Sequence, residues 1–391
     1  MILIKNGYVK TMAGNDIKDG QILIDNGIIK AVGSNLDVPA DVEIIDAKGY
    51  LVTPGLVESH CHVGMWEEGI GFEGEDGNED VEPITPQLRA IDAINPMDIA
   101  FTDAIEGGVT TAVTGPGSAN VIGGQFLAMK TYGNRVDNMV IKDPVAMKIA
   151  FGENPKRVYD EQHKSPVTRM AIAALLRETF FEALQYKEDL DAAETDPDRR
   201  PDFDIKLDAL IPVMRKQIPL KAHVHRADDI FTALRIAKEF DLDITLDHCT
   251  EGHLIVDELV KEGKPVLVGP TFGSRSKYEL RNISFETPKI LVAAGIKIAI
   301  ITDASVIPLQ YLSMCAGLAV KAGLPEEEAW KAITINPAEI VGVANRVGSI
   351  EVGKDADIVI FKGNPLTDLG YETYMTMIDG QVVYKNDKIA N

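Results

Sequence analysis

The sequence predicts an α/β fold, a (β/α)8 TIM-like barrel carrying a small β-sandwich built from both chain termini. Two observations predict it. In the middle of the chain, apolar strand-like runs alternate with helical segments, which implies a parallel sheet. About eight such runs suggest closure into a barrel rather than an open sheet. At both ends, short apolar runs are punctuated by Asn-Gly and Asp-Gly turns, the pattern of hairpins. The expected division is a composite β-domain at residues 1–52 and 346–391, with a barrel at 53–345.

The elements follow in order. Ile2–Ile4, Gly20–Asp25, Gly27–Val32 and Val42–Ile45 read as terminal strands, and Leu51–His62 as one buried strand. A long acidic, glycine-rich loop, Gly64–Pro83, precedes a helix at Pro96–Gly107 and a strand at Val109–Thr114. Phe126–Lys130 and Met139–Ile141 read as strands around a turn at Gly133-Asn134, followed by a further strand at Val145–Phe151. Two helices, Thr168–Leu190 and Phe203–Lys216, flank a polar loop. Strands then recur at Leu220–His225, Asp243–His248, Pro265–Pro270 and Ile296–Ile301. Asp357–Phe361, Met375–Ile378 and Gln381–Tyr384 return to the terminal β-domain.

Composition narrows the function classes. The net charge of −21 argues against a nucleic-acid or anionic-membrane partner. The 391 residues, 45% of them hydrophobic, suffice for a large core. The three cysteines form no Cys-x-x-Cys pair and suggest no disulfide framework. With no signal-peptide pattern and no apolar run long enough to span a bilayer, a cytoplasmic protein is expected.

Five of the seven histidines fall at predicted strand ends: His60, His62, His223, His225 and His248. Asp303 ends the last barrel strand. In a barrel these ends share one mouth, where active sites are built. His60 and His62 alternate onto one face, with Cys61 on the other. Neutral imidazoles on one face suit zinc, iron, nickel or manganese. The same alternation turns Cys61 and Cys249 into the packing.

These pieces, with Pro54-Gly55-Leu56, Asn336-Pro337-Ala338 and the run Gly348–Asp357, resemble the amidohydrolase superfamily. Within it they resemble the group related to imidazolonepropionase and metal-dependent dipeptidases. The resemblance runs nearly end to end. It implies one or two divalent ions, zinc foremost, with His60, His62 and Asp303 holding one metal. His223 and His248 would hold a second or support catalysis. A bridging ligand is implied, often a carboxylated lysine or a glutamate. Lys148 and Glu153 are the candidates, with Lys130 a weaker third. Glu58 stands where the family usually has Asp; on the same face as His60, it is a candidate either to orient that ring or to serve a plain structural role.

The resemblance further implies metal-activated water attacking a carbonyl carbon, with Asp303 moving the proton and the metal or an imidazole such as His248 stabilising the oxyanion. The expected reaction is hydrolysis of an amide-type C–N bond in a small, carboxylate-bearing substrate: a dipeptide, an N-acyl amino acid, or a cyclic lactam or imide. Imidazolonepropionase-type ring opening is the specific alternative. A non-catalytic scaffold on the same fold would be expected to have lost ligands, and every one is present. The family's deaminases usually carry an acid shortly after the His223 position, where this chain has Val224-His225-Arg226. His225, Arg226 and Arg275 are the candidate substrate-binding residues, with Lys277 and Arg281 in the same loop as Arg275. The acidic stretch Glu67–Glu82 is a candidate lid. A homo-oligomer is expected from the family, with a small molecule as the other partner.

Overall fold

The computed structural model describes residues 1–389; the last two positions of the expected terminal domain lie outside them. Two eight-stranded sheets organise the chain. The first starts with β1 (Ile2–Val9), β2 (Ile17–Asp25), β3 (Ile28–Gly33), β4 (Glu43–Asp46) and β5 (Leu51–Pro54). The second comprises β6 (Leu56–Cys61), β7 (Val109–Thr114), β8 (Ile122–Lys130), β9 (Val140–Ala150), β10 (Leu220–Val224), β11 (Ile244–His248), β12 (Val266–Val268) and β13 (Ile298–Ile300). The chain then returns to the first sheet with β14 (Ile358–Lys362), β15 (Glu372–Ile378) and β16 (Gln381–Lys385).

Both termini share one hydrogen-bonded sheet, in the order β16-β15-β14-β5-β1-β2-β3. It branches at β1, whose first half pairs with β4 and whose last residues pair with β5. Alternate residues such as Ile22, Ile24, Ile358 and Ile360 fill its own core. The expected single strand Leu51–His62 is divided: β5 belongs to this sheet and β6 to the barrel. Gly55 makes the handover. Its N–H donates to Asp357 O at 2.9 Å, and a Cβ there would collide with the Thr110 side chain.

The second sheet is a nearly closed barrel, with strands in sequence order from β6 to β13. It differs from a regular (β/α)8 barrel in one respect: β8 runs antiparallel to both β7 and β9. Met139–Ile141 and Val145–Phe151, expected as separate strands, are one eleven-residue strand, β9, passing through Pro144. Its pairing with β8 is irregular between Phe126 and Ala128, which spares the missing proline N–H a ladder position. Helices cover the barrel. The longest, Arg169–Ala193, is capped by Thr168, whose hydroxyl accepts from Ala171 N–H. It buries Ile172, Leu176, Phe180 and Ala183, spaced one turn apart. Each large apolar side chain so buried contributes about 1.5–3 kcal/mol.

The seam between β6 and β13 carries no ladder. Glu58 closes it instead. Its carboxylate accepts from His60 N–H (2.8 Å), Thr302 N–H (2.7 Å) and the Thr302 hydroxyl (2.7 Å). His62 N–H also donates to Ala304 O at 2.6 Å. Glu58 thus binds backbone across the seam and does not orient the His60 ring. Lys130 is equally remote from the mouth. Because β8 is reversed, its C-terminal end lies at the opposite end of the barrel. There Lys130 pairs with Asp355, Asp357 and Asp379 at 2.7–3.1 Å, locking the barrel to the terminal sheet.

Candidate metal centre

The parallel strand ends bring two ligand groups together: His60, His62 and Asp303, and His223, His225 and His248. In each group the ligand atoms lie within 4.8 Å of one another. In the first, Asp303 Oδ1 is 3.3 Å from His60 Nε2 and 3.2 Å from His62 Nε2. Two ligands at about 2.0–2.1 Å from one tetrahedral ion are separated by about 3.4 Å, so the spacing fits a shared cation. His248 joins the groups, its ring centroid 5.2 Å from that of His60 and 4.5 Å from that of His223.

The rings are held from behind. His62 Nδ1 meets Gly115 O at 2.7 Å, His248 Nδ1 meets Gly269 O at 2.7 Å, and His225 Nδ1 meets the Thr250 hydroxyl at 2.8 Å. His60 Nδ1 lies 2.8 Å from Asp247 Oδ2. The carbonyl and hydroxyl partners fix which nitrogen of His62, His248 and His225 is free for a metal, while His60 and Asp247 meet as a close ion-pair contact without hydrogen-bond geometry. His248 Nε2 and Asp303 Oδ1 are buried and have no hydrogen-bond partner. Unsatisfied atoms of this kind are expected where a cation is the missing partner.

Protonation states agree with this. Burial pushes His60 down to about 4 and His225 to about 3, and holds His223 and His248 well below the ordinary histidine value. These rings are neutral at pH 7, as ligands must be. Burial alone would raise the Asp303 carboxyl, but His248, His60 and His62 outweigh it and keep it ionised. Nitrogen and carboxylate donors of this kind fit a divalent transition metal.

Lys148 is fully buried beside both groups, its Nζ 3.4 Å from His60 Nε2. Burial pushes its pKa down to about 8. Strand register explains its place. Lys148 pairs with Lys221, Lys221 with Thr245, and His223 with Asp247, so these residues share the barrel's inner face. Glu153, the other bridge candidate, is not drawn in. It begins the helix Glu153–Glu161, and its carboxylate accepts from Glu279 N–H at 3.4 Å. Cys61 and Cys249 are buried in the apolar layer around the barrel.

Four residues at the centre are not among the expected site residues. Asp247 holds His60 and also pairs with Lys221 at 3.2 Å. It precedes His248, and simple alternation would separate the two. A left-handed backbone at His248 (φ 69°) and Cys249 (φ 46°) undoes that alternation. Lys221 lies two residues before His223 and so on the same face, a signal present in the sequence. Phe126 forms the floor. His60 stacks on it at 5.4 Å, and the ammonium groups of Lys148 and Lys221 each lie 5.6 Å from its centroid. Glu279 arrives from the loop after Pro270. It is 1% exposed, with Oε1 3.8 Å from His223 Nε2 and 3.7 Å from His225 Nε2. Gly152 makes room for it, because a Cβ there would sit 2.8 Å from Glu279 Oε2. An acid therefore does stand near His223 in space, though none follows it closely in sequence.

A cavity of about 450 Å³ opens over the centre, bordered by His62, His223, His225 and Asp303. The acidic stretch contributes Asn78 to its wall, beside Trp66, whose ring lies 5.0 Å from that of His62. Of the candidate substrate-binding residues, His225 lines it; Arg226 and Arg275 do not. Arg226 pairs with Asp228 through two bonds, at 2.9 and 2.7 Å. Arg275 donates to the carbonyls of Arg281 and Ile283 and staples its own loop. Arg281 lies over Tyr278. Lys277 is the cation that reaches the cavity. His253 pairs with Thr287 at 2.9 Å, and His163 is exposed.

A barrel with strand-end histidines and a strand-end aspartate converging beneath one cavity defines a metal-dependent hydrolase of the amidohydrolase type. The chain belongs to the amidohydrolase family. That family's model matches residues 223–383. The chain is 41% identical to a solved amidohydrolase from Thermotoga maritima, covering 99% of this chain and 100% of that one with a TM-score of 0.95. It is 30% identical to amidohydrolase tasK of Hapsidospora irregularis over 95% of this chain, and spans 40% of that protein's length. It is 24% identical to an imidazolonepropionase of Alkaliphilus metalliredigens, over 96% of this chain and 90% of that protein. Among the described residues no helix is long and apolar enough to cross a membrane.

Proposed function

We propose that the protein hydrolyses an amide-type C–N bond in a small, carboxylate-bearing substrate. Dipeptides, N-acyl amino acids and cyclic lactams or imides are the candidate classes. The observation that carries this reading is Lys148, a fully buried amine 3.4 Å from the ligand nitrogen of His60. His60, His62 and Asp303 would hold one divalent ion, and His223 and His248 a second, with carboxylated Lys148 joining them. Zinc suits the donors, and iron, manganese and nickel are compatible with them. A lysine must be neutral to take up carbon dioxide, and a pKa near 8 gives Lys148 an appreciable neutral fraction at physiological pH.

Bound there, the metal supplies Lewis-acid activation of water and polarisation of the scissile carbonyl. Asp303, ionised, accepts the proton of the attacking water and delivers it to the leaving nitrogen. His225, on the cavity wall, is placed to contact the carbonyl oxygen. Trp66 and Asn78 border the same cavity.

Imidazolonepropionase-type ring opening is the second reading, favoured by the nearly end-to-end similarity to such an enzyme. A panel of dipeptides, N-acyl amino acids, lactams and imides, assayed with metal-loaded and chelated protein, tests both. Turnover of at least one class by the loaded form alone is expected. The same lack of turnover in both forms across the panel would overturn the hydrolytic reading.

A further inference from the structure

Lys277 is the one lysine or arginine among the residues bordering the cavity. Its ammonium is fixed by a short support. Ser118 Oγ accepts from Asn154 Nδ2 at 2.7 Å, and Asn154 Oδ1 accepts from Lys277 Nζ at 2.6 Å. All three side chains border the same cavity. Glu279 Oε1 forms an ion pair with Nζ at 3.8 Å, too long for a hydrogen bond. An ammonium has three donors, so Asn154 leaves two for a ligand. Arg226 and Arg275 are committed to other partners and stand outside the cavity. Beside Lys277 the wall turns apolar, with Leu280, Ile283, Val306 and Ile307. Val306 is 60% exposed.

We propose that Lys277 selects the substrate by its carboxylate, while the adjoining Leu280, Ile283, Val306 and Ile307 receive an apolar side chain. The substrate class is then an N-acyl amino acid, or a dipeptide, whose free carboxylate neighbours an aliphatic side chain. This rests on the hydrolytic reading above and names the group on the leaving-nitrogen side of the scissile bond. The ammonium lies close to the ligand groups within one cavity: Asn154, which accepts from it, has its Nδ2 3.5 Å from His223 Nε2. One molecule therefore places its carboxylate on Lys277 and its acyl carbonyl beneath Asp303 and His225.

Binding is tested apart from turnover through Trp66, which borders the cavity, whereas the other tryptophan, Trp330, is fully buried. Stopped-flow fluorescence of the metal-loaded protein compares N-acetyl-leucine with its neutral analogue N-acetyl-leucinol. Wild type should bind the carboxylate at least about tenfold more tightly, as a charge-assisted contact implies. Lys277→Met should erase the difference, Lys277→Arg should retain most of it, and Arg226→Met and Arg275→Met should leave it intact. A tenfold preference that survives Lys277→Met, or that wild type lacks, overturns the proposal. N-acetyl-leucine hydrolysis is followed in parallel. Preference without turnover of any amide would count against the hydrolytic reading and not against Lys277; turnover without preference would do the reverse.

Discussion

Asp247 shows what a single residue contributes here. It is fully buried, and Lys221 and His60 hold its carboxyl below the usual carboxylate range against the opposing effect of burial. It fixes the His60 ring from the side opposite Asp303. Removing such a carboxylate partner typically weakens a metal site about 10–100-fold. Asp247→Asn should therefore lower zinc affinity by about that factor, measured by competition with a chromogenic chelator. Cys61→Ala should leave metal content unchanged, because that side chain is buried in the apolar layer. His60, His62, His223, His248 and Asp303 were legible in the sequence because parallel strands deliver their ends to one mouth. Asp247 was not, because simple alternation puts it on the opposite face from its neighbour His248, and only the left-handed backbone at His248 brings both to the centre. Glu279 was not, because a loop 31 positions after His248 carries no periodic signal.

At the scale of elements, the reversal of β8 is the main departure from the expected barrel. Nothing in its apolar pattern reveals strand direction, so Lys130 read as a mouth residue when it belongs to the opposite end. Burial opposes the Lys130 charge, but Asp357, Asp379 and Asp355 outweigh it and hold its pKa above the ordinary value of 10.5. A lysine whose pKa is higher folded than unfolded contributes stability that is complete below pH 10.5. That contribution is lost as pH rises through the raised value. Urea unfolding of wild type should therefore weaken on this account above pH 10.5, and Lys130→Met should lack that component. At neutral pH the same variant should lose about 3–5 kcal/mol, since three acids are left around an apolar side chain. Glu58→Ala is the matching test of the seam. It leaves the N–H groups of His60 and Thr302 without their buried acceptor, at about 1–3 kcal/mol for each such group, and calorimetry should show a lower Tm.

The whole molecule is organised so that both termini close one sheet while the inserted barrel holds the ligands. Gly55 and Lys130 connect the two. The composite sheet was legible because Gly-punctuated apolar runs recur at both ends. Its branching at β1 was not, because hydrogen-bond partners of short strands leave no mark on sequence. Ligands contributed by β6, β10, β11 and the end of β13 mean that a bound ion ties together distant parts of the chain. Metal binding should therefore stabilise the fold as a whole, by about 4 kcal/mol when free metal stands at 1,000 times its dissociation constant. Chelation should lower Tm accordingly. The most direct test of the proposed two-metal centre bridged by Lys148 is the zinc content per chain after reconstitution with zinc and bicarbonate. Two zinc ions per wild-type chain, falling to one or fewer in Lys148→Ala, is the predicted result. One zinc per chain in both proteins would contradict it.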